Sequence, residues 1–473
     1  QGMFGDGLLY ASIARNLAEY KGQAWNPFFS SGYWIEGVNP RAYFENPPLM
    51  FWMQSLLFSF LGDHWWVEKL YCLLLLLLNC FLISRLWESL LDHQSENFGG
   101  FGWLPVLFFY LIPVVVWGSP QNLIDSQLLT FCLLAVYSII RAIKNQLDSS
   151  LWLAIGGVSI FAGLLVKGPV ALYPVSVPVL YYLVFNPVHW KKGMLLSSGL
   201  LAGVMILFTG LLMLNEPAHI FFRQYWDQRL EVAITGGRAD GLRMGWERLY
   251  IFWLLLRENS LILSVSVILF FVALKKGIVQ KADTTEGRGA IFFFILGSAA
   301  TLPVMISTRQ AGMYLIPGLA LFAIAAAYLH LPLFQYWASV MKVKTQKIIS
   351  GVSILGITLV IIHSIKIFGE PGREQSLLED LPVMETIIPA GSKVAVCEDV
   401  MQNFVYHVYL QRYLKLELTR DVSGAQHFLS STNCMHNHEN EIHAAGFEMH
   451  YAGHQLGVYS RPALESVLEV SQE

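Results

Sequence analysis

Residues 151–185 read LWLAIGGVSIFAGLLVKGPVALYPVSVPVLYYLVF, and the one charged side chain among them is Lys167, near the middle. The apolar runs 151–166 and 169–185 are each close to the length that a helix needs to cross the hydrocarbon core of a bilayer. Lys167-Gly168-Pro169 leaves almost no loop between the two runs. The stretch therefore predicts two membrane spans joined by a tight turn.

The same pattern continues through most of the chain. Of its 473 residues, 55% are hydrophobic and 14% are charged, whereas soluble globular proteins carry about 25% charged residues. We predict a polytopic α-helical membrane protein with about ten visible spans. The predicted spans are 66–87, 103–119, 122–141, 151–166, 169–185, 195–214, 258–274, 289–307, 312–330 and 348–367.

Composition and glycine patterns argue against two classes of ligand. No basic, aromatic-interleaved patch suggests a nucleic-acid partner. There is no phosphate-binding Gly-rich loop of the nucleotide-binding type, because Gly236-Gly237-Arg238 and Gly287-Arg288-Gly289 lack both the strand context and the spacing.

Lysine and arginine cluster in four loops, each separated from the next by two predicted spans. The clusters are Arg141/Lys144, Lys191/Lys192, Lys275/Lys276/Lys281/Arg288 and Lys342/Lys344/Lys347. Because basic loops stay in the cytoplasm, these four define the cytoplasmic side. Loops 1–65 and 215–257 and the tail then face outward, which suggests a multi-pass protein of the inner (plasma) membrane.

Two short helices are expected in the first outward loop. One runs from Asp6 to about Tyr20, with Leu9, Ile13 and Leu17 on one face, and the other from Leu49 to Leu61. Both are too short to span, so we expect them to lie along the membrane surface. The chain begins at Gln1 without a leading apolar run, and we expect a first transmembrane helix to precede it.

The polar tail predicts a second domain. We assign residues 1–370 to a transmembrane domain and 371–473 to a small extracytoplasmic α/β domain. Its expected elements are strands at 393–397 and 415–419, a helix at 401–414 and a hairpin at 447–460.

The tail also contains two of the five cysteines. A disulfide between Cys397 and Cys434 and two free thiols are both compatible with their spacing. The tract Cys434-Met435-His436-Asn437-His438 is metal-like in composition, but it lacks a regular zinc-ligand spacing.

Five charged residues stand at breaks between apolar segments, and the predicted topology puts all of them on the outward side. They are Asp6, Glu45, Asp125, Lys167 and Arg309. Ionisable groups near membrane segments are costly and commonly mark a functional cavity. Their shared side favours one outward site that can hold a phosphate and activate a nucleophile.

Each of these residues also has a structural interpretation when it is taken alone. A carboxylate at a helix start, such as Asp6, serves equally well as an N-cap. Glu45 before Pro47-Pro48 is typical of a turn, and Asp125 is typical of a helix start. Lys167 and Arg309 in tight turns can extend to lipid headgroups or meet an anionic phosphate.

Two loop motifs carry a family resemblance. Residues 5–16 read GDGLLYASIARN and residues 43–54 read YFENPPLMFWMQ, and two later motifs are LVKGPV at 165–170 and TRQAGMYLIP at 308–317. Over roughly residues 1–330 the chain resembles bacterial polyprenyl-phosphate-dependent glycosyltransferases of the GT-C fold. The nearest groups are the aminoarabinose lipid A transferases and the protein O-mannosyltransferases of glycosyltransferase family 39.

The resemblance implies an inverting transfer of a sugar from a polyprenyl-phosphate donor to a lipid A-like glycolipid, a protein or a cell-envelope glycan outside the cytoplasm. Asp6, Glu45 and Asp125 match the acidic residues of the site, with Asp6 as general base and the other two positioning the acceptor or holding a divalent cation. Lys167 and Arg309 would lie near the donor phosphate. Tyr10, Asn46 and Tyr314 lie within the matched motifs and are expected to position substrate.

Two residues depart from the family pattern. Gly7 stands where a second acid commonly follows the first, and Asn46 stands where a lysine is expected. The loss of that cation weakens the case for aminoarabinose-type donor handling and leaves the phosphate to Lys167 or Arg309.

The main alternative is a membrane transporter or lipid flippase without transferase activity. Such a protein would have polar or Gly/Pro-broken helices near the midplane and matched halves. Here the charges lie at one face, and no inverted repeat is visible in the sequence. A third interpretation, a membrane-anchored binding or assembly protein, would leave the Glu45-Pro47-Pro48 loop unexplained.

Overall fold

The computed structural model describes residues 2–32, 43–91, 101–145, 147–235, 245–278, 280–367 and 369–462. Its helices are α1 Gly5–Ala18, α2 Leu49–Leu61, α3 Val67–Leu90, α4 Trp103–Tyr110, α5 Pro113–Gly118, α6 Ile124–Lys144, α7 Ser149–Lys167, α8 Val177–Phe185, α9 Trp190–Leu214, α10 Glu216–Tyr225, α11 Glu231–Thr235, α12 Tyr250–Glu258, α13 Ser260–Lys276, α14 Thr285–Thr301, α15 Ile316–Val340, α16 Val343–Lys366, α17 Gln375–Ile387, α18 Glu398–Gln402, α19 Phe404–Leu414 and α20 Thr432–Ala444. Its strands are β1 Gly22–Gln23, β2 Asn26–Pro27, β3 Lys393–Val396, β4 Glu417–Thr419, β5 His427–Ser431, β6 Glu448–Ala452 and β7 Leu456–Ser460.

The chain divides into two compact units. Unit 1 takes in Gln1–Tyr43, Phe51–Glu68 and Gly369–Glu473, and unit 2 takes in Phe44–Met50 and Lys69–Phe368. The division near residue 368 lies close to the predicted domain boundary at 370. Unit 1 also includes most of the first outward loop, which the sequence analysis had grouped with the membrane domain.

The predicted membrane spans other than 103–119 coincide with helical segments. Among the described residues, six helical segments are long and apolar enough to cross a membrane, or seven if one pair bent by 54° counts as a single span. The six are Val67–Leu90, Ile124–Lys144, Ser149–Phe185, Pro187–Leu214, Thr285–Ile306 and Gly312–Val340, and the bent pair joins Gly245–Glu258 to Ser260–Lys276. The polytopic helical architecture is therefore confirmed.

The predicted span 103–119 is divided in two. α4 ends at Tyr110, and α5 begins at Pro113 after two residues that do not continue the helix. A proline has no backbone N–H and its ring clashes with the preceding turn, so it fits the first position of a helix well and kinks or breaks a helix when it lies in the interior. Pro113 thus starts a new helix, a break that apolar composition alone did not reveal.

The segment Ser149–Phe185 turns back on itself at Gly168. This residue has a backbone φ of +74°, and a Cβ placed on Gly163 would lie 2.8 Å from the Cβ of Ala171. In a straight helix, residues eight positions apart would be separated by about 12 Å. The predicted tight turn at Lys167-Gly168-Pro169 is therefore confirmed.

The C-terminal part of unit 1 is built on a five-stranded mixed sheet with the order β4-β3-β5-β7-β6. β3 pairs in parallel with β4 and β5, whereas β7 pairs antiparallel with β5 and β6. The strands and the hairpin predicted from the sequence are present, and the predicted helix 401–414 is divided into α18 and α19. β5 was missed, because its sequence HFLSS has no apolar–polar alternation even though Phe428–Ser431 are buried.

α1 differs from the amphipathic surface helix that was expected. All ten residues from Gly7 to Asn16 are buried, including the polar Ser12, Arg15 and Asn16. The prediction that Leu9 and Ile13 form a buried apolar stripe is confirmed. The spacing of apolar residues identifies only the apolar face of a helix, however, and does not show whether its polar face is also covered.

Candidate functional site

Asp125 and Lys167 form a buried ion pair in unit 2. Asp125 lies in the first turn of α6 and Lys167 at the end of α7, which follows after a short connection and packs against α6. The Nζ of Lys167 lies 2.5 Å from the Oδ1 of Asp125, and their side chains are 17% and 3% exposed. Each group provides the counter-charge that the other needs away from water.

Tyr314 completes this cluster. The Nζ of Lys167 lies 4.3 Å from the centroid of its ring, close enough for a cation–π interaction. Sequence reasoning placed Tyr314 in a substrate-positioning role, and the structure puts it directly against one of the predicted phosphate-binding residues.

The turn at Gly168 fixes the position of Lys167. A Cβ on Gly168 would lie 2.6 Å from the hydroxyl oxygen of Tyr225. That hydroxyl donates a hydrogen bond to the Lys167 carbonyl at 3.3 Å. Glycine is needed here both for the positive φ and for the close approach of the tyrosine.

Glu45 pairs with an arginine that the sequence analysis did not select. The Nη1 of Arg229 lies 3.4 Å from the Oε2 of Glu45, and both side chains are partly exposed. Arg229 belongs to a single π-helical turn, Trp226–Leu230, that continues α10. Such turns are rare and are frequent at functional sites.

One face of α10 joins the two ion pairs. Phe221, Tyr225 and Arg229 follow one another at intervals of four residues, and the ring of Phe221 lies 5.4 Å from that of Phe44. Burial raises the pKa of Tyr225 to about 12 although the nearby charge of Arg229 acts to lower it. On this face, Tyr225 contacts the backbone carbonyl of Lys167, and Arg229 contacts the carboxylate of Glu45.

Arg309 is exposed on the surface of unit 2. Its side chain is exposed and has no hydrogen bond or ion pair within the described residues. The adjacent Thr308 donates its backbone N–H to the Ala233 carbonyl at 2.9 Å, and Gln310 donates to the Arg248 carbonyl at 2.8 Å. The structure does not bring Arg309 into contact with Asp125 or Lys167, and its phosphate-binding role stays a prediction.

The remaining predicted site residues are described within their own units. Asp6 is the second residue of α1, and Phe4 occupies the N-cap, so the capping interpretation of Asp6 was wrong. A carboxylate in the first helical turn is still favoured by the helix dipole. Tyr10 is buried between the rings of Tyr43 and Phe51, at 6.5 and 5.8 Å. Asn46 is buried in unit 2.

A further carboxylate cluster was missed in the sequence. Glu258, at the end of α12, accepts hydrogen bonds from the backbone N–H of Val114 at 3.2 Å and from the Nε of Arg257 at 3.0 Å. It thus satisfies a free N–H at the start of α5. We assign this cluster to the stability of unit 2.

The two carboxylate–cation pairs are suited to binding a phosphate. Lys167 and Arg229 are cations held in place by carboxylates, and Arg229 is still partly open to solvent. An entering phosphate would find one positive group oriented by Asp125 and another by Glu45, and charge-assisted hydrogen bonds of this kind are among the strongest in proteins.

Comparisons with known proteins bear on the fold of the chain. A family model described as dolichyl-phosphate-mannose-protein mannosyltransferase matches residues 45–214. No curated protein matches the chain. Among solved structures, ArnT from Cupriavidus metallidurans bound to undecaprenyl phosphate superimposes with a TM-score of 0.60 at 14% identity, covering 97% of this chain and 94% of that one.

The fold is of the GT-C type. The apo form of the same ArnT gives a TM-score of 0.60 at 13% identity, covering 97% of this chain and 93% of that one. An oligosaccharyltransferase from Archaeoglobus fulgidus gives 0.47 at 9% identity, over 98% of this chain and 71% of that one. The mannosyltransferase family model and the two ArnT structures confirm the predicted GT-C fold and the resemblance to family 39 and to the aminoarabinose transferases.

Proposed function

We propose that the chain is a membrane glycosyltransferase that moves a sugar from a polyprenyl-phosphate donor to an acceptor on the extracytoplasmic face. The acceptor class is a lipid A-like glycolipid, a protein or a cell-envelope glycan. The observation that carries the proposal is the pair of carboxylate–cation contacts, Asp125–Lys167 and Glu45–Arg229, on a fold whose ArnT relative was solved with undecaprenyl phosphate.

Arg229 takes the place of the cation missing at Asn46. Its guanidinium presents several donors in a plane, which suits a phosphate better than a single ammonium does. Because Glu45 and Arg229 are 3.4 Å apart and partly exposed, an incoming phosphate can share the arginine without a large rearrangement. Lys167 supplies the second cation, and Arg309 a third if the donor extends towards its loop.

This assignment changes the role given to the two carboxylates. Glu45 and Asp125 each have a cationic partner in the structure, so they orient the phosphate-binding groups. A divalent cation would have to displace Arg229 or Lys167 to reach them. We therefore propose that the phosphate is neutralised by side chains.

The reaction is a single displacement with inversion at the anomeric carbon. Asp6 accepts the proton of the acceptor hydroxyl as its oxygen bonds to the anomeric carbon. The bond between that carbon and the phosphate oxygen breaks, and the negative charge remaining on the polyprenyl phosphate is stabilised by Arg229 and Lys167. The isoprenoid tail requires an apolar surface, which explains why such a site would lie in a membrane protein.

Intact-lipid mass spectrometry of cells tests the proposal. The full-length protein would be compared with Asp6→Asn and Arg229→Gln versions in the native host. Both variants should accumulate a polyprenyl-phosphate sugar whose mass identifies the sugar, because donor made by the cell is no longer consumed.

Arg223→Gln is the matched control. Arg223 lies in α10, which continues into the π-helical turn of Arg229, but it is exposed and outside the face that contacts Glu45. Its lipid profile should equal that of the wild type. Wild-type transfer by the Asp6→Asn protein would refute the mechanism in which Asp6 is the general base. If neither variant accumulates the donor, and Arg229→Gln loses the movement of unmodified lipid across the membrane in a separate flux assay, the flippase is favoured.

A further inference from the structure

The sheet of unit 1 has the strand order at which parallel α/β sheets usually bind ligands. β3 and β5 are adjacent and parallel. From β3 the chain continues to β4 on one side, and from β5 it continues through α20 to β6 on the other. Where connections leave two neighbouring strands in opposite directions, the carboxyl ends of the strands border an open crevice.

Three metal-ligating side chains converge at the carboxyl ends of these two strands. Cys397 directly follows β3, Asp399 comes two residues later, and Cys434 lies in the first turn of α20, directly after β5. Their sulfur and carboxylate oxygen atoms all lie within 4.8 Å of one another. The Sγ of Cys397 donates to the Oδ1 of Asp399 at 2.7 Å.

The carboxylate of Asp399 is held in this orientation by neighbours. The hydroxyl of Ser431 donates to its Oδ2, and the backbone N–H of Val400 donates to its Oδ1 at 2.9 Å. The same Ser431 hydroxyl accepts a hydrogen bond from the backbone N–H of Cys434 at 3.2 Å. Outer partners of this kind orient the ligands of metal sites.

We propose that Cys397, Asp399 and Cys434 bind a thiophilic divalent cation, with zinc as the natural candidate. Zinc lies about 2.3 Å from sulfur and about 2.0–2.2 Å from oxygen in tetrahedral sites, so two ligand atoms of one ion are about 3.5–3.8 Å apart. The three ligand atoms, which all lie within 4.8 Å of one another, are close to that separation. Water takes the fourth position.

Binding involves no oxidation or reduction. Two thiols lose their protons to solvent, and two Zn–S bonds and one Zn–O bond to Asp399 replace bonds to water in the hydrated ion, which keeps one water. The carboxylate exchanges its hydrogen bond from Cys397 for the metal. A disulfide between the same sulfurs would instead release two electrons to an oxidant. It would also leave the oriented carboxylate of Asp399 without a function, and for that reason we favour the metal.

The test is a metal analysis of the full-length protein, purified in detergent through a tag that contains no histidine. We expect one zinc per chain for the wild type, loss to background in Cys397→Ser and Cys434→Ser, and loss of most of the zinc in Asp399→Asn. Cys80→Ser and Asp421→Asn are matched controls and should keep the metal, since Cys80 lies in α3 and Asp421 bonds Ser423.

A second measurement on the wild type does not depend on the folding of variants. Cobalt added to protein stripped of metal should give a thiolate-to-cobalt charge-transfer band, which zinc then abolishes. Protein without zinc or this band would overturn the proposal, as would a Cys397–Cys434 disulfide in peptides mapped without reductant.

Discussion

Asp125 and Lys167 show how a buried charge pair can serve both stability and binding. The Asp125 side chain is almost entirely removed from solvent, that of Lys167 is largely so, and the two lie 2.5 Å apart. Removal of one member of such a pair leaves an uncompensated buried charge, which commonly costs about 3–5 kcal/mol, whereas replacement of both is often nearly neutral. The pair is therefore suited to a double-mutant comparison.

We predict that Lys167→Met lowers the free energy of unfolding by about 3 kcal/mol. Adding Asp125→Asn should restore most of that loss, because the buried carboxylate is no longer charged. Sugar transfer should be lost in both proteins, since neither offers the phosphate a cation at this position.

Thermal unfolding in a non-ionic detergent measures stability, and the lipid assay measures transfer. A double variant that regains transfer together with stability would show that Lys167 is structural and does not touch the phosphate. Equal destabilisation in the single and double variants would contradict the ion-pair account.

At the scale of elements, the turn between α7 and the segment after it depends on one glycine. Gly168 has φ +74° and ψ −147°, a region of backbone space that side chains other than glycine enter at a cost of about 1–3 kcal/mol. The Tyr225 hydroxyl also occupies the space that a Cβ would need. Both effects would displace Lys167, the preceding residue.

We predict that Gly168→Ala destabilises the protein by at least about 2 kcal/mol and sharply reduces transfer. Gly157→Ala, within α7, is the control, because a Cβ at Gly157 would meet no other atom within 4 Å. That change should be neutral or slightly stabilising, since alanine favours a helix more than glycine does. Thermal unfolding of the two variants side by side checks the prediction, and similar midpoints would argue against a strained turn.

At the scale of the whole molecule, unit 1 is assembled from three distant stretches of chain. Arg412 in α19 donates to Glu68 at 2.8 and 3.0 Å and to Asp63 at 2.8 Å. Arg15 in α1 donates to the carbonyls of Gln411 and Arg412. The first helix, the turn before α3 and the C-terminal domain thus share one charged network.

We predict that Arg412→Met lowers the free energy of unfolding by about 3–5 kcal/mol, because Glu68 is left buried without its partner. Arg420→Met is the matched control in the same unit. Its pair with Glu398 is exposed, so the loss should be about 1 kcal/mol or less. Chemical denaturation, with limited proteolysis of unit 1 as the readout, measures the free energy of unfolding of both variants. Equal losses of stability in the two variants would contradict the conclusion that this network links the three segments.

Acidification should weaken the same network. Burial alone raises the pKa of Asp63, but the positive charges of Arg412 and Arg15 and the hydrogen bond from Lys415 outweigh it and hold the pKa below its ordinary value. A carboxyl whose pKa is lower in the folded state stabilises the fold fully above its unfolded-state pKa of about 3.9. That contribution is lost as the pH falls through the folded-state pKa.

We therefore predict that the difference in thermal midpoint between wild type and Asp63→Asn is constant from neutral pH down to about pH 4–5 and shrinks below it. Midpoints measured over this pH series in a non-ionic detergent provide the check. A difference that stays constant in acid would show that the charge of Asp63 contributes nothing to the fold.

The sequence by itself determined the membrane class, the positions of most spans, the turn at Gly168 and most strands of the tail. These features are local, because hydropathy, proline and glycine act over one or two helical turns. It also supplied the loop motifs that pointed to the GT-C fold. The break at Pro113 was equally local and could have been read from the proline alone.

Only the tertiary structure decided which charges meet. Arg229 lies 184 residues from Glu45 and stands among other charged residues in its loop, so no spacing rule selects it over Arg223. Cys397 and Cys434 are brought together by the parallel pairing of β3 with β5, and Arg412 reaches Glu68 across 344 residues. Contacts of this kind depend on how several elements pack at once, and the sequence of any one element does not contain that information.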